Sequence, residues 1–353
     1  MNFLRCKNCV MDGSASEIVL DENGVCNFCH QAQKALKEVE AEKYKLPEII
    51  EQIKKDGQGR DYDVLIGLSG GVDSSTTLHY AVKLGLRPLC FSVDNGWNDK
   101  RADENVMRLV EKLKVPFYRY VLNKGKFSEL QSAFMKSGVP NIEIPTDHTL
   151  MAVSFEMVSK YGIKWILSGG NVATESVMPA SWGYSARDLT HIKDINKKFG
   201  KGKLKGLPLC GLLKWNYYRL IKGIKTFYLL DYLDYNRIES IKILKNEYGY
   251  SDYGDKHCEN IFTKWFQNFY LYEKFGYDKR KPHYSSLINS GQMTRKEAID
   301  LLAECPVYPA LGIEIKVMSY PKHRHEDFKM DKWYNRISRI VKLWKSMGNL
   351  RHQ

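Results

Sequence analysis

The sequence predicts an α/β fold built on a doubly wound parallel sheet, with a small cysteine-rich module before it and a mostly helical region after it. Short apolar runs alternate with amphipathic segments, and this alternation is typical of a parallel sheet with helices on both faces. Some of these runs end in Ser- and Gly-rich turns, as strands do at a binding edge. The alternating segments are 64–67, 76–84, 89–93, 102–113, 117–121, 149–161 and 165–168.

The turn after the first strand is suited to bind phosphates. Residues 64–75 read VLIGLSGGVDSS, so an apolar strand runs through a glycine pair into a helix. The glycines let the backbone approach an anion, while the helix N-terminus and the serine hydroxyls supply hydrogen-bond donors. No Lys follows the glycines; Asp73 stands there and suits a Mg²⁺ on a polyphosphate. The candidate phosphate-binding residues are Ser69, Gly70, Gly71, Asp73, Ser74 and Ser75.

Two further strand ends fit the same site. Residues 89–96, LCFSVDNG, and residues 165–171, WILSGGN, each read as a buried strand followed by a polar turn. The carboxyl ends of parallel strands meet at one edge of the sheet, where the adenine and ribose of a nucleotide can bind. A buried strand followed by an ordinary turn is the alternative for both stretches. The candidate nucleotide-binding residues are Ser92, Val93, Asp94, Ser168, Gly169, Gly170 and Asn171.

Four cysteines near the amino terminus have the spacing of a structural zinc site. Cys6 and Cys9 form one C-x₂-C pair, Cys26 and Cys29 form a second, and sixteen residues lie between the pairs. Four thiolates fill a tetrahedral site and leave no position for water, which favours a structural role. The alternatives are an iron–sulfur cluster, redox disulfides, or His30 replacing one thiolate.

The rest of the composition predicts a cytoplasmic protein without a membrane span. No window approaches the ~20 uninterrupted apolar residues of a membrane helix. The first ten residues lack the charged-then-apolar order of a signal peptide. The remaining cysteines show no pairing pattern and are expected to be free thiols. They are Cys90, Cys210, Cys258 and Cys305.

Changes in composition divide the chain into five parts. We expect a zinc-binding module at 1–33, a connecting helix and linker at 34–59, a nucleotide-binding sheet domain at 60–190, a basic insertion at 191–250 and a helical substrate- or phosphate-binding region at 251–353. The formal net charge is +13, and residues 191–226 hold ten Lys or Arg against one Asp. Such a segment suits a partner, an anionic substrate or RNA, and a solvated basic surface is the alternative.

Two charged clusters in the last part are candidate site residues. Lys256 and Glu259 lie about one helical turn apart, so the pair can position a phosphate and an incoming amine. Residues 278–283, DKRKPH, concentrate cations that can neutralise a polyphosphate or a sugar carboxylate. A salt-bridged helix surface is the alternative for each residue. The candidate substrate- and phosphate-binding residues are His257, Lys279, Arg280, Lys281 and His283.

Both groups of motifs resemble known families. The turn SGGVDS resembles the SGGxDS signature of the PP-loop ATP pyrophosphatases, which split ATP between its α and β phosphates. The carboxyl-terminal third and the opening cysteines resemble the N-acetyl sugar amidotransferases of lipopolysaccharide and nonulosonic acid biosynthesis. Two positions depart from that pattern, with Asp255 in place of a Gly and Asn260 in place of a Ser. The matching residues are Lys256, His257, Glu259, Phe266, Gln267, Asp278, Lys279, Arg280, Lys281, His283, Ser285, Ser286, Gln292, Met293, Thr294, Arg295 and Glu297.

The resemblance implies an AMP-forming amidotransferase. Such an enzyme adenylates the oxygen of an acetamido group on a nucleotide-activated sugar, and ammonia then displaces AMP to leave an acetamidine for O-antigen synthesis. The resemblance also implies ATP at the turn residues given above, Mg²⁺ and a structural Zn²⁺ as cofactors, and catalytic roles for Asp73, Lys256 and Glu259. The chemistry is sound because adenylation converts a poor electrophile into one with a good leaving group.

We expect the ammonia to come from other proteins. Residue 2 is Asn, so we expect no amino-terminal Cys nucleophile, and no Cys lies in a Gly-rich nucleophile elbow. The resemblance implies a separate glutaminase and a barrel protein, similar to the two halves of imidazole glycerol phosphate synthase.

Two other functions are alternatives to an AMP-forming amidotransferase. A tRNA thiolase shares the phosphate turn and suits the basic charge, but such enzymes commonly use cysteines near the nucleotide, and only Cys90 lies near the turn in sequence. Nucleic acid is therefore not the expected partner. A non-enzymatic zinc-ribbon adaptor would leave the phosphate turn unexplained.

Overall fold

One parallel sheet organises the molecule, which confirms the predicted fold class. The computed structural model describes residues 4–253, 256 and 258–332 of the chain. The strands of the sheet are β1 Val64–Gly67, β2 Pro88–Asp94, β3 Phe117–Val121, β4 Trp165–Leu167 and β5 Lys225–Phe227. They are ordered β3-β2-β1-β4-β5, and every neighbouring pair is parallel.

Helices cover both faces of the sheet and form most of the carboxyl-terminal region. The α-helices are α1 Asn27–Glu40, α2 Leu46–Asp56, α3 Val72–Lys83, α4 Lys100–Leu113, α5 Lys124–Ser137, α6 Ile144–Lys160, α7 Val172–Glu175, α8 Leu189–Phe199, α9 Leu212–Asn216, α10 Arg237–Tyr248, α11 Ile261–Trp265, α12 Leu271–Phe275, α13 Arg280–Asn289, α14 Arg295–Leu302 and α15 Glu314–Met318. Two π turns, Tyr217–Ile221 and Phe266–Tyr270, continue α9 and join α11 to α12.

Alternate residues of the central strands face two different layers. Ile66 of β1 and Cys90 of β2 pack in a cluster with residues of α3 and α4. Leu65 and Phe91 pack with residues of α6 and with the segment around α9. This alternation follows from the two-residue period of a strand, and burial on both faces is the usual state of a parallel sheet.

A crevice forms where β1 and β4 end. The two strands are neighbours in the sheet, but α3 follows β1 on one face, whereas the chain after β4 leads to α9 on the other face. Neighbouring strands whose connections leave to opposite faces leave a gap between their carboxyl ends, and ligands bind there in open α/β sheets.

Two helices begin earlier than the sequence indicated. α3 begins at Val72, directly after the glycine pair, and α6 begins at Ile144. Both first turns hold residues typical of a helix N-terminus, namely Asp73 in α3 and Pro145 and Asp147 in α6. The phosphate-binding turn therefore lies directly at the N-terminus of α3.

The sheet extends into the segment predicted as a basic insertion. β5 pairs with β4, and Lys225 at its start lies over the Trp165 ring at 4.6 Å. α10 packs against α3, where Nδ1 of His79 lies 2.7 Å from the Tyr248 hydroxyl. Residues 191–250 thus supply both a strand and a helix to the part of the fold built on the parallel sheet.

The carboxyl-terminal region is mostly helical, as predicted, and it holds the amino-terminal module. Asn289 of α13 donates a hydrogen bond to Sγ of Cys29 at 3.4 Å, and the Arg295 guanidinium donates to the carbonyl oxygens of Cys6 and Cys9. The cysteine module therefore packs against α13 and the start of α14. Among the described helices, none is long and apolar enough to cross a membrane.

Two glycines with left-handed backbone give a matched test of how the carboxyl-terminal region is attached. Gly138 follows α5 with φ 62°, and Gly249 follows α10 with φ 65°. A Cβ at 138 would fall on the carbonyl oxygen of Pro321, whereas a Cβ at 249 would meet nothing within 4 Å. We expect Gly249→Ala to lower the free energy of unfolding by about 1–2 kcal/mol and Gly138→Ala by about 1–3 kcal/mol more. Equal urea midpoints for the two variants would show that Gly138 does not touch residue 321.

Candidate active site

A cavity of about 700 Å³ opens at the crevice between β1 and β4. Its walls come from the phosphate-binding turn, the ends of β2 and β4, the first half of α6 and residues near 256–263. The fold therefore brings the turn and the carboxyl-terminal candidates into one site. The predicted residues that line it are Ser69, Gly71, Asp73, Ser74, Ser92, Val93, Ser168, Gly169, Gly170, Lys256 and Glu259.

Glycine is required at two positions because other backbone lies in the way of a side chain. Gly70 has φ 81°, and a Cβ there would fall on the carbonyl oxygen of Ala102. The Gly70 carbonyl in turn accepts a hydrogen bond from the Tyr253 hydroxyl at 2.8 Å. A Cβ at Gly169 would lie 2.9 Å from the backbone nitrogen of Ser74. The turns after β1 and β4 thus approach each other closely.

The serine hydroxyls hold the turn in shape. Oγ of Ser69 accepts from the Gly71 backbone N–H at 3.2 Å and lies 3.3 Å from Oγ of Ser74. The Ser74 hydroxyl donates to the Gly71 carbonyl at 3.3 Å. These hydroxyls stand beside the first backbone N–H groups of α3, so the turn offers donors to an anion.

Two predicted residues shape strand ends and a third is buried in a helix, and none of the three lines the cavity. Oδ1 of Asp94 accepts from the backbone N–H of Gly96 at 2.8 Å. Oδ1 of Asn171 accepts from the backbone N–H of Thr174 at 2.9 Å and caps α7. Ser75 is buried within α3. Contact of these side chains with a nucleotide stays a prediction.

Lys256 joins the phosphate-binding turn to the carboxyl-terminal region. Its Nζ lies 2.8 Å from Oδ2 of Asp73 and 2.7 Å from Oε1 of Glu175, and it donates to Oγ1 of Thr174 at 2.7 Å. The Tyr235 hydroxyl donates to the other oxygen of Asp73. Burial by itself raises the pKa of Asp73, but the Lys256 charge and these hydrogen bonds hold that pKa below its ordinary value. Asp73 is therefore an ionised carboxylate.

Glu259 lies against the same turn. Its Oε1 would be 3.1 Å from a Cβ placed on Gly71, and its carboxylate is hydrogen-bonded with the Ser69 side chain. Burial, with a smaller contribution from the charge of Asp73, raises the pKa of Glu259 above its ordinary value. A carboxylate in this state is a better proton acceptor than an exposed one.

The predicted phosphate-binding cluster at 278–283 is divided by the fold. Arg280 forms a bidentate pair with Asp278 at 2.7 and 3.0 Å, and Lys281 pairs with Asp12 at 2.5 Å. Lys279, Arg280 and His283 all line a second cavity of about 360 Å³. That cavity shares Lys256 and Glu175 with the first one. His257 lies outside the described residues, and substrate binding by this cluster stays a prediction.

Burial sets the charge of the residues in the second cavity. It lowers the pKa of Lys279 to about 8 and the pKa of His283 to about 3. The Nζ of Lys279 lies 3.0 Å from Sδ of Met178, and His283 Nδ1 lies 3.4 Å from the Thr174 carbonyl. His283 is therefore a neutral imidazole near neutral pH.

Two acidic residues of the main cavity were not identified from the sequence. Glu143 is buried and accepts from the Thr263 hydroxyl at 2.7 Å. Burial, reinforced by the nearby Asp147, raises the pKa of Glu143 to about 8, and burial raises the pKa of Asp147 to about 6. Acidic residues are common at helix N-termini, so their residue types and positions did not mark them as site residues. Other lining residues without a predicted role are Glu175, Arg187, Trp215, Arg219, Tyr228 and Arg237.

The four amino-terminal cysteines form a candidate metal site. Their sulfur atoms all lie within 4.8 Å of one another and are buried. Sγ of Cys6 is 3.9 Å from that of Cys29, and Sγ of Cys9 is 3.7 Å from that of Cys26. Metal–sulfur bonds of about 2.3 Å in a tetrahedron separate the sulfurs by about 3.8 Å, so the donor set fits a single ion.

Comparison with known proteins identifies the carboxyl-terminal segment. Residues 259–311 match the family described as LPS biosynthesis protein WbpG-like, C-terminal domain. The matched segment begins at Glu259, which touches the phosphate-binding turn. This match confirms the predicted resemblance to proteins of lipopolysaccharide biosynthesis.

Relatives and solved structures were also found. An uncharacterised protein of Methanocaldococcus jannaschii is 26% identical over 168 residues, which are 47% of this chain and 58% of that protein. The chain thus spans less than two thirds of that relative. A U34-tRNA thiolase from Methanococcus maripaludis with its [4Fe-4S] cluster has a TM-score of 0.34 at 14% identity, over 92% of this chain and 98% of that one. NMN synthetase from Francisella tularensis has a TM-score of 0.29 at 17% identity, over 69% and 93%.

The raised pKa of Glu143 predicts a pH-dependent effect on stability. A carboxyl with a folded pKa of about 8 binds a proton in the folded state that the unfolded chain has released, so wild-type stability falls as pH rises from about 5 to 8. Gln does not titrate, so Glu143→Gln removes this fall in stability with rising pH. We expect the free energy of unfolding of the variant, minus that of wild type, to grow by up to about 1.4 kcal/mol per pH unit.

Urea denaturation at several pH values measures this difference. Glu239→Gln on α10 is the control, because Glu239 pairs with Lys242 on the exposed surface. A difference between Glu143→Gln and wild type that stays constant from pH 5 to 8 would show that Glu143 is ionised in the folded protein.

Proposed function

We propose that this protein is an ATP-dependent, AMP-forming amidotransferase of lipopolysaccharide biosynthesis. It adenylates an acetamido group on a nucleotide-activated sugar and replaces the oxygen with ammonia to form an acetamidine. The observation that carries the proposal is the contact of Glu259 with the phosphate-binding turn. The segment similar to lipopolysaccharide biosynthesis proteins thereby supplies a carboxylate to the place where ATP phosphates would bind.

The first step forms the adenylate. The acetamido oxygen attacks the α-phosphorus of ATP, and the bond from that phosphorus to pyrophosphate breaks. Backbone N–H groups of the turn and the Lys256 ammonium stabilise the charge on the phosphates. The turn favours this cleavage because Asp73 occupies the place where γ-phosphoryl transferases carry a Lys.

The second step replaces the oxygen. Ammonia adds to the activated carbon, the carbon–oxygen bond breaks, and AMP leaves with the former amide oxygen. The added nitrogen must lose a proton. Glu259 can accept it, because its carboxylate lies against the turn and burial raises its pKa. The adenylated group needs only an amine, so ammonia from a separate glutaminase, delivered through a barrel subunit, completes the proposed reaction.

Mg²⁺ fits the carboxylates that meet at Lys256. Asp73 and Glu175 both contact the Lys256 ammonium, so their oxygens lie close together beside the turn. Oxygen ligands of this kind suit Mg²⁺, which neutralises charge on the departing pyrophosphate when bound. The four cysteines fit Zn²⁺, and a site filled by four thiolates is structural.

The site gives no support to sulfur transfer. Among the described residues that line the cavity, none is a cysteine. Cys90 is buried in the core beneath α3, and burial raises its pKa to about 12. A thiol in that state is a poor nucleophile, which argues against a tRNA thiolase.

The nucleotide products test the proposed reaction. With ATP, Mg²⁺, ammonium and a panel of nucleotide-linked diacetamido sugars, we expect AMP, pyrophosphate and a sugar in which NH has replaced one oxygen. Liquid chromatography with mass spectrometry identifies all three products. Release of ADP in proportion to product would rule out the adenylate.

Two variants separate the steps. Asp73→Asn should lose both sugar-dependent pyrophosphate exchange and product, because the metal carboxylate is gone. Glu259→Gln should keep the exchange reaction but form product roughly 10²–10⁴-fold more slowly, the range for loss of a general base. Glu239→Gln serves as the matched surface control. If Glu259→Gln forms product at the wild-type rate, Glu259 is not the proton acceptor.

The proposed zinc site has a separate test. We expect one Zn²⁺ per chain by metal analysis, and Cys26→Ser should lower the thermal midpoint by destabilising the amino-terminal module. Cys305→Ser is the control, since Cys305 is exposed and far from the cluster in sequence. Iron in place of zinc would overturn the assignment.

A further inference from the structure

One part of the main cavity carries two arginines and a tryptophan that the phosphate-binding turn does not use. The Cζ atoms of Arg187 and Arg219 lie 5.2 Å and 4.8 Å, respectively, from the centre of the Trp215 ring. All three side chains line the cavity. We call these three residues the arginine cluster.

The two guanidinium groups have no acidic partner among the described residues. Asp188, next to Arg187 in sequence, accepts from the His191 backbone and the Tyr184 hydroxyl, and Glu156 of α6 pairs with Lys214 at 3.2 Å. Burial and repulsion from Arg187 lower the pKa of Arg219. Two like charges without a counter-ion are unfavourable in a cleft, and an anionic ligand removes this cost.

The arginine cluster lies away from the part of the cavity that Glu259 occupies. Tyr218, beside Arg219, stacks on Phe155 of α6 with ring centres 5.1 Å apart. Glu143, at the start of α6, contacts Thr263 on the side of Glu259. From Glu143 to Phe155 the helix rises by about 18 Å. The cavity therefore has two regions that can hold phosphates, one at the backbone N–H groups of the turn and Lys256 and the other at the arginine cluster.

ATP alone does not account for both regions. Its negative charge is confined to the triphosphate, which the turn and Lys256 suit, and its adenine is neutral. The walls of the cavity also include the apolar side chains of Met151, Phe155 and Ile166. A second nucleotide would supply a phosphate to the guanidinium groups of the arginine cluster and a base to the Trp215 ring.

We propose that the arginine cluster binds the phosphate of the nucleotide-linked sugar, with Arg187 and Arg219 on the phosphate oxygens. This inference rests on the proposed function and names the substrate subsite for it. The sugar then lies between its own phosphate and the ATP bound at the turn. Its acetamido group can reach the α-phosphorus only when the nucleotide is attached, so the cluster selects nucleotide-linked over free sugars.

The test measures nucleotide binding without turnover. The full chain is saturated with α,β-methylene ATP to fill the turn, and UDP, GDP and CMP are each titrated by calorimetry. We expect at least one of the three to bind. Arg219→Ala and Arg187→Ala should each weaken that binding roughly tenfold or more, as expected for the loss of charge-assisted hydrogen bonds. Binding of the ATP analogue should stay unchanged.

Two further variants keep the result interpretable. Arg219→Lys retains the charge and the fold but loses the planar fork, so it should also weaken nucleotide binding. Arg324→Ala is the matched control, because Arg324 is exposed and pairs only with Asp327 in the last turn described. Circular dichroism confirms that each variant is folded.

Three outcomes would overturn the proposal. One is loss of α,β-methylene ATP binding in the arginine variants, which would assign the cluster to ATP. The second is unchanged binding of UDP, GDP and CMP by the arginine variants, and the third is no binding of any of the three by wild type. These outcomes are independent of the proposed reaction, because nucleotide binding at the cluster can be present even if ATP is never cleaved to AMP.

Discussion

The buried ion pair between Lys256 and Asp73 is the interaction on which the site depends. Their side chains are only 10% and 16% exposed, and a buried charge is costly unless it is paired and hydrogen-bonded. Glu175 and Thr174 complete the partners of Lys256. Because these groups come from α3, from α7 and from the carboxyl-terminal region, one ammonium fixes three parts of the chain around the phosphate-binding turn.

The rest of the carboxyl-terminal region is held in place by small buried side chains of α13. Ser285 Oγ accepts from the backbone N–H of Val10 at 3.3 Å, and Ser286 Oγ accepts from that of Val177 at 3.0 Å. One face of α13 thus binds the cysteine module, and the other binds the chain that follows α7. A metal in the cysteine module would stabilise the site through this helix, at a distance from the chemistry.

Local patterns made much of this structure predictable. The strand before the turn, the glycine pair and the paired cysteines are each determined by residues close in sequence, so composition and spacing identify them. β5 could not be found this way, because it is three residues long within a basic segment and exists through its pairing with β4. The raised pKa of Glu143 and the lowered pKa of Arg219 come mainly from burial, which depends on tertiary packing. The basic run at 278–283 is visible in the sequence, but its ion pairs are not. Arg280 pairs with Asp278, two residues away, whereas Lys281 pairs with Asp12 of the cysteine module, which is distant in sequence.

In the proposed reaction, the acetamido oxygen becomes part of an adenylate. A nucleotide-linked sugar carrying oxygen-18 in its acetamido groups tests it most directly, with ATP, Mg²⁺ and ammonium present and AMP and pyrophosphate analysed by mass spectrometry. The mechanism predicts that one labelled oxygen leaves the sugar for each acetamidine formed and appears in the phosphate of AMP. Acetamidine formation accompanied by unlabelled AMP would contradict it.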